Sequence, residues 1–210
     1  MAALRFAFIV SAFFFLCVTA VCAQGRDPVV LLQTTKGQIP IRVYRSAAPN
    51  TAMNFLDLVS RGFYNGLTFH RIETWCIQGG DPNGNGSGDF IDPQTGRPRY
   101  LRLEVTPQLR HNAAGVVAMA RSNAPDSASC QFYITKAPMP GLDMQYAIFG
   151  GVLGNGVNVV RAIGRGDRIL SAEIVDNGGG GGSSQASGSM SRPMGGQTGT
   201  SAGTPPDSGF

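Results

Sequence analysis

The feature that most limits the fold of this chain is its punctuation. Between Val29 and Val175, outside two helical stretches, most apolar residues come in eight short runs separated by polar or turn-forming residues. These runs are Val29–Thr35, a second over Ile39, Ile41 and Val43, then Thr68–Ile72, Cys76–Gln78, Val116–Ala120, Gln131–Thr135, Tyr146–Val152 and Ile169–Val175. Runs this short, with alternation such as Ile39, Ile41, Val43, suit strands and are too brief for helices. The turn at Lys36-Gly37 joins the first two as a hairpin, and Pro40 inside the second predicts an edge position or a bulge. Only two stretches have helical spacing. In Pro49–Val59, Ala52, Phe55, Leu56 and Val59 share a face, with Pro49 suited to the first turn and Gly62 to the stop. The other is Val157–Ile163. Many short strands with two helices predict a mostly β fold, a closed or nearly closed barrel capped at its ends.

Composition sets the limits of that domain at about 28–176. Residues 1–23 carry Arg5, an apolar run from Phe6 to Val21, and the ending Val21-Cys22-Ala23, which reads as a secretory signal peptide cut after Ala23. An uncleaved signal anchor is the alternative, since the run is almost long enough to span a bilayer. Residues 177–210 are Gly, Ser, Thr, Pro and Gln with almost no large apolar side chain, and they read as a disordered tail. The destination is a secretory compartment: periplasm, endoplasmic reticulum or extracellular space. Removing the leader leaves two cysteines, Cys76 and Cys130, as either a disulfide or two buried thiols. Asn85-Gly86-Ser87 is a glycosylation sequon. The formal charge is +4, scattered and without a basic block, which argues against nucleic acid as a partner.

Chemistry concentrates in FHRIETWCIQGGD, residues Phe69 to Asp81. It sets Arg71 inside an apolar and aromatic run, with Gln78 and Gly79-Gly80 downstream. That pattern suits a groove that takes an apolar group and makes one or two firm hydrogen bonds. It points to conformational chemistry and to no cofactor or metal. His70 and His111 have no ligand-like partners at useful spacing and read as satisfied structural histidines. The glycine-rich stretch from Asn83 to Gly88 lacks the Gly-Lys-Ser/Thr ending of a phosphate loop and reads as a flexible groove rim. Asp126-Ser127 lacks the Gly-x-Ser-x-Gly elbow of a hydrolase.

Five segments in order, TTKGQIPIRVY, FHRI…QGGD, HNAAGVVAMAR, SASCQFYIT and LDMQYAIFGGVLGNGVNVV, make the chain resemble the cyclophilins, a family of peptidyl-prolyl cis-trans isomerases. The resemblance runs from about Val29 to Ile174. It implies a closed, eight-stranded antiparallel barrel capped by two helices, with a surface groove for proline-containing polypeptides. Arg71 falls on the family's catalytic arginine and Gln78 on the glutamine expected to hold it. The substrate groove would use Trp75, Cys76, Ala120, Arg121, Gln131, Tyr133, Leu142 and Tyr146. Tyr133 stands where the family usually has phenylalanine, and Arg121 where it often has asparagine. Phe132 and Phe149 read as core.

Three departures bear on function. The segment from Ile72 to Gln78 is one residue shorter than the family norm. Gly141 stands where cyclosporin-sensitive members carry tryptophan, so weak cyclosporin binding is expected. Cys76 and Cys130 flank groove positions. The implied activity is rotation about Xaa-Pro bonds, assisting protein folding, by a monomer without cofactor. The rival reading is a proline-peptide binding module or chaperone with weakened catalysis.

Overall fold

The computed structural model describes residues 27–175. The predicted leader (1–23) and tail (177–210) lie outside them. Ten strands and two helices follow the order β1 (Val29–Thr34), β2 (Gly37–Val43), α1 (Pro49–Ser60), β3 (Arg71–Ile72), β4 (Cys76–Gly79), β5 (Ile91–Asp92), β6 (Arg97–Pro98), β7 (Val116–Met119), β8 (Phe132–Thr135), β9 (Ile148–Val152), α2 (Gly156–Ala162) and β10 (Ile169–Val175). Eight strands form one antiparallel sheet in the order β10-β1-β2-β9-β7-β8-β4-β3. The β5–β6 hairpin stands apart from it.

The fold is mostly β with two helices, as expected, but the sheet is an open half-barrel. The expectation of a closed barrel is corrected: β3 and β10, its two edges, share no ladder. β3 is only two residues long. Just upstream of it, an isolated bridge joins Thr68 to Arg168, and Gly66 N donates to Ile169 O at 2.7 Å. The chain thus reaches β10 before it becomes a strand, and no paired length remains for closure.

The edge position predicted for Pro40 is also corrected, because β2 lies between β1 and β9. Pro40 O accepts from Leu153 N at 2.8 Å, so Pro40 turns its backbone groups toward β9. The β2–β9 ladder starts one residue later, at Ile41. The missing N–H therefore falls just outside the ladder and costs no hydrogen bond.

Alternation divides the side chains into two apolar clusters. Inside the curve of the sheet lie Leu32, Ile41, Ile77, Val117, Phe132, Ile134 and Phe149, with Phe55 and Leu58 of α1 and Val160 of α2. Phe55 packs edge-on to Phe132 at 5.6 Å and tilted against Phe149 at 4.8 Å, pairs that contribute about 0.5–1.5 kcal/mol each beyond their burial. Tyr64 joins them, and its hydroxyl donates to Cys130 O at 3.0 Å. On the other side of the strands sit Cys76, Ala118, Tyr133 and Ile148, with Trp75, Ala120, Leu142 and Tyr146 against them.

Helix α1 has Ala48 at its N-cap, which offers no side-chain oxygen. Glu104, distant in sequence, replaces the missing cap. Its carboxylate accepts from Asn50 N (3.2 Å), Asn50 Nδ2 (2.9 Å) and Thr51 N (2.8 Å). The charge also faces the positive end of the helix. Gly62 ends the helix as expected, at φ +66° with its N–H on Val59 O.

Candidate functional site

A single cross-strand row builds the site. Arg71 pairs with Gln78, Gln78 with Tyr133, Tyr133 with Ala118, and Ala118 with Ile148. Residues directly opposite one another on neighbouring strands present their side chains to the same face. One polar end, Arg71 and Gln78, is thereby joined to one apolar patch, Tyr133, Ala118 and Ile148. Phe132, the next residue on β8, points into the core, as alternation requires.

The polar end is a chain of hydrogen bonds. Arg71 Nη1 donates to Gln78 Oε1 at 3.1 Å, and Gln78 Nε2 donates to Gln131 Oε1 at 3.0 Å. Gln131 Nε2 donates in turn to Gly86 O (3.1 Å) and Gly88 O (2.9 Å), which ties the glycine-rich loop to the row. Glu73 accepts from Arg71 Nε at 3.1 Å. Among the described residues Nη2 has no partner, so a guanidinium fixed on two sides keeps donors for a third group.

Aromatic contacts build the apolar end. Trp75 and Tyr146 each meet Tyr133 edge-on, with ring centroids 5.7 Å apart. Arg71 Cζ lies 5.8 Å from the Trp75 ring centre. Trp75 thus stands between Arg71 and Tyr133, at the edge of the patch. Leu142, in a 3-10 turn over Pro140–Leu142, packs on the same cluster. Arg121 Cζ lies 4.7 Å from the Tyr146 ring centre, and its Nε donates to Gln145 O at 3.0 Å. All ten residues read from the sequence converge: Arg71, Gln78 and Gln131 on the clamp, Trp75, Cys76, Ala120, Tyr133, Leu142 and Tyr146 on the apolar cluster, and Arg121 at its margin.

Beside the clamp lies a polar cavity of about 300 Å³. Gln78, Ala120, Arg121 and Gln131 line it, and so do Asp89, Tyr100 and Ser129, which the sequence reading missed. Asp89 and Tyr100 come from the flanks of the β5–β6 hairpin, whose short strands have no apolar alternation. No motif in the sequence brings them to Gln131.

Glycine is required at the close of QGGD. Gly80 has φ +82°, and a Cβ there would sit 2.7 Å from Cys130 O. Asp81, which follows, is buried, and its carboxylate accepts from the backbone N–H of Asn83 (2.9 Å), Asn85 (2.8 Å) and Gly86. This shapes the glycine-rich rim. Burial of Asp81 works against its charge, but the backbone donors outweigh it and hold the carboxyl below its ordinary value.

Cys76 and Cys130 are free and buried, on opposite sides of the sheet. Burial pushes their thiols up to about 11 and about 12. They are therefore not nucleophiles. Of the two histidines, His111 is buried and fully bonded, whereas both ring nitrogens of His70 lack partners among the described residues, so the expectation of a satisfied His70 is corrected. Among the described residues no group of His, Cys, Asp and Glu could hold a metal ion.

Comparison with known proteins gives the same family throughout. Residues 29–177 match the family model described as cyclophilin type peptidyl-prolyl cis-trans isomerase/CLD. A peptidyl-prolyl cis-trans isomerase-like 1 from Rhizopus delemar is 42% identical over 139 residues, 64% of this chain and 79% of that protein. The peptidyl-prolyl cis-trans isomerase CYP18-2 of Arabidopsis thaliana is 37% identical over 145 residues, 67% of this chain and 83% of its own length. Among solved structures, a Cryptosporidium parvum cyclophilin type peptidyl-prolyl cis-trans isomerase, crystallised in the presence of the dipeptide Ala-Pro, superimposes with a TM-score of 0.64. It is 28% identical and covers 71% of this chain and 99% of its own.

Proposed function

The chain belongs to the cyclophilin-type peptidyl-prolyl cis-trans isomerases, and from that membership and the site geometry we propose that Arg71 is its catalytic residue and the aromatic patch beside it the proline pocket. The observation that carries this reading is the adjacency of a clamped guanidinium with free donors to an apolar patch walled by Trp75 and Tyr133.

Rotation about an Xaa-Pro bond breaks no covalent bond, yet faces a barrier of about 18–20 kcal/mol because amide resonance is lost on twisting. Catalysis requires tighter binding of the twisted amide than of either planar form. Twisting localises a lone pair on the prolyl nitrogen, and a charged donor at that atom stabilises it. Arg71 supplies the donor through Nη2, while Gln78 holds Nη1. Trp75, Tyr133 and Leu142 enclose the pyrrolidine ring, with fully buried Cys76 backing that wall, so that the carbonyl side turns while the ring stays. Residues before the proline lie along Ala120 and Arg121, beside the polar cavity. Tyr146 offers its hydroxyl to the peptide beyond the ring.

Proline-containing polypeptides are the substrates in this reading, handled by a monomer in a secretory compartment during folding. The leader-like composition of residues 1–23 supports the compartment, and a mature N-terminus at Gln24 on sequencing is the expected result. Cyclosporin should inhibit weakly, because exposed Gly141 offers no indole to it, and Gly141→Trp should strengthen inhibition. The test of the function is a protease-free isomerisation assay with a proline tetrapeptide. Arg71→Ala should lower kcat/KM about 100- to 1,000-fold without unfolding the domain. Retention of most turnover would leave a proline-binding module instead.

A further inference from the structure

His111 is wholly buried, and sequence reasoning assigned it no function. It lies between the aromatic patch and Asp143, just beyond the 3-10 turn that carries Leu142. Its Nε2 is 2.8 Å from the Tyr133 hydroxyl and its Nδ1 is 3.2 Å from Asp143 Oδ1. The same oxygen accepts the His111 backbone N–H at 2.7 Å, and Arg110 Nε donates to Asp143 Oδ2 at 3.1 Å. The His111 and Tyr133 rings lie nearly parallel, with centroids 6.0 Å apart.

We propose that Asp143 and His111 are positioning residues of the isomerase site, holding the Tyr133 ring in place as the wall of the proline pocket through a buried Asp143–His111–Tyr133 relay. The inference rests on the reading of Tyr133 as a pocket residue.

The relay has one consistent proton arrangement. Asp143 can only accept, so Nδ1 carries the hydrogen and Nε2 is left as the acceptor. Tyr133 must then donate, and burial keeps its phenol protonated. Among the described residues that hydroxyl has no other partner. Protonating His111 would place a hydrogen on Nε2 and leave the Tyr133 O–H aimed at a donor. The Tyr133 oxygen would then accept from Nε2, and its own hydrogen would be left without an acceptor, loosening the hold on the ring against which both Trp75 and Tyr146 pack. A phenylalanine at this position could be held by packing alone, whereas a tyrosine needs an acceptor behind the pocket.

Charge around the relay favours the neutral imidazole. Burial lowers the His111 pKa below 6.5, although Asp143 acts the other way. Besides Asp143, Arg110 reaches the relay through the Asp143 carboxylate, and Tyr146, Cys76 and Arg121 face Tyr133. A depressed histidine pKa adds stability at pH above 6.5 that is lost as pH falls through the folded value. Proline-peptide KM should therefore be flat near neutrality and rise in acid, with His111 protonation.

The test is a cycle of His111→Phe and Tyr133→Phe, read as KM and kcat for a proline tetrapeptide. In the parent chain His111→Phe should raise KM about tenfold, the worth of one buried hydrogen bond, with kcat little changed. In the Tyr133→Phe background the same change should move KM less than about twofold, since both partners are then apolar. An equal factor in both backgrounds overturns the relay. Nitrogen-15 spectra of the folded chain should show neutral His111 with its hydrogen on Nδ1, and a hydrogen on Nε2 would equally overturn it. If His111→Phe does not fold, Asp143→Ala takes its place with the same expected split. Tyr133→Ala, assayed alongside, separates the two levels. Unchanged KM there would refute the pocket reading itself, whereas a raised KM without the background dependence would refute only the relay.

Discussion

Replacing Gln78 with methionine isolates what the clamp contributes to Arg71. The two side chains have similar length, and methionine neither donates an N–H nor accepts well, so the strand and the packing persist while two hydrogen bonds disappear. One is the bond from Arg71 Nη1 at 3.1 Å. A hydrogen bond to a charged group is worth about 1.5–3 kcal/mol when sheltered. Here the Arg71 side chain is 45% exposed, so water takes up part of the loss and about 1 kcal/mol is the reasonable share. The other bond, from Gln78 Nε2 to Gln131 Oε1, leaves Gln131 still anchored through Gly86 O and Gly88 O. The glycine-rich rim should stay in place. Since Glu73 still holds Nε, the guanidinium loses one of two restraints and wanders from the position of the prolyl nitrogen. A deficit of about 1 kcal/mol corresponds to a roughly fivefold fall in kcat. KM should change less than about twofold, because the apolar patch is untouched, and the melting temperature should shift by no more than about 2–4 °C. Protease-free isomerisation kinetics and a calorimetric scan measure both. Turnover within a factor of about 1.5 of the parent would show that Arg71 does not depend on Gln78, and the clamp argument would fail.

Three further outcomes follow from the geometry. Glu104→Ala removes the acceptor for two backbone N–H groups at the start of α1 and should cost about 1 kcal/mol, read as a lower urea midpoint with unchanged slope. Asp81 has a carboxyl pKa below 3.8, so it stabilises the fold above that pH, and the contribution fades as pH falls through the depressed value; Asp81→Asn should be less stable than the parent at neutral pH, and the gap should close in acid unfolding titrations. The Cys76 thiol, buried and raised to about 11, should resist thiol reagents in the native state and react at the rate of domain opening; fast labelling with one equivalent of reagent would contradict its placement.

Much of the site was legible in the chain because local sequence encodes which face a strand residue occupies. Alternation put Phe132 and Tyr133 on opposite faces, the family resemblance assigned Tyr133 to the groove, and the motif around Arg71 gathered the cation, the glutamine and Trp75 on segments that fold as one short hairpin. Boundaries such as Pro49 and Gly62 were equally local, since ring closure and positive φ are properties of single residues. Other features depend on partners remote in sequence. Ala48 gives no hint that Glu104 caps α1, and Asp89 and Tyr100 give none that they border Gln131. Closure of the barrel was misjudged for the same reason: strand count is a local quantity, whereas closure depends on how much paired length β3 and β10 retain after the chain at Gly66–Thr68 has met β10. By itself the sequence determined the strand alternation, the turn positions and the residue types of the site, all governed by backbone stereochemistry and solvent exposure. Only the tertiary structure decided which hydroxyl His111 answers, how the sheet ends and what fills the far side of the pocket, because those depend on distances between residues that the chain brings together only on folding.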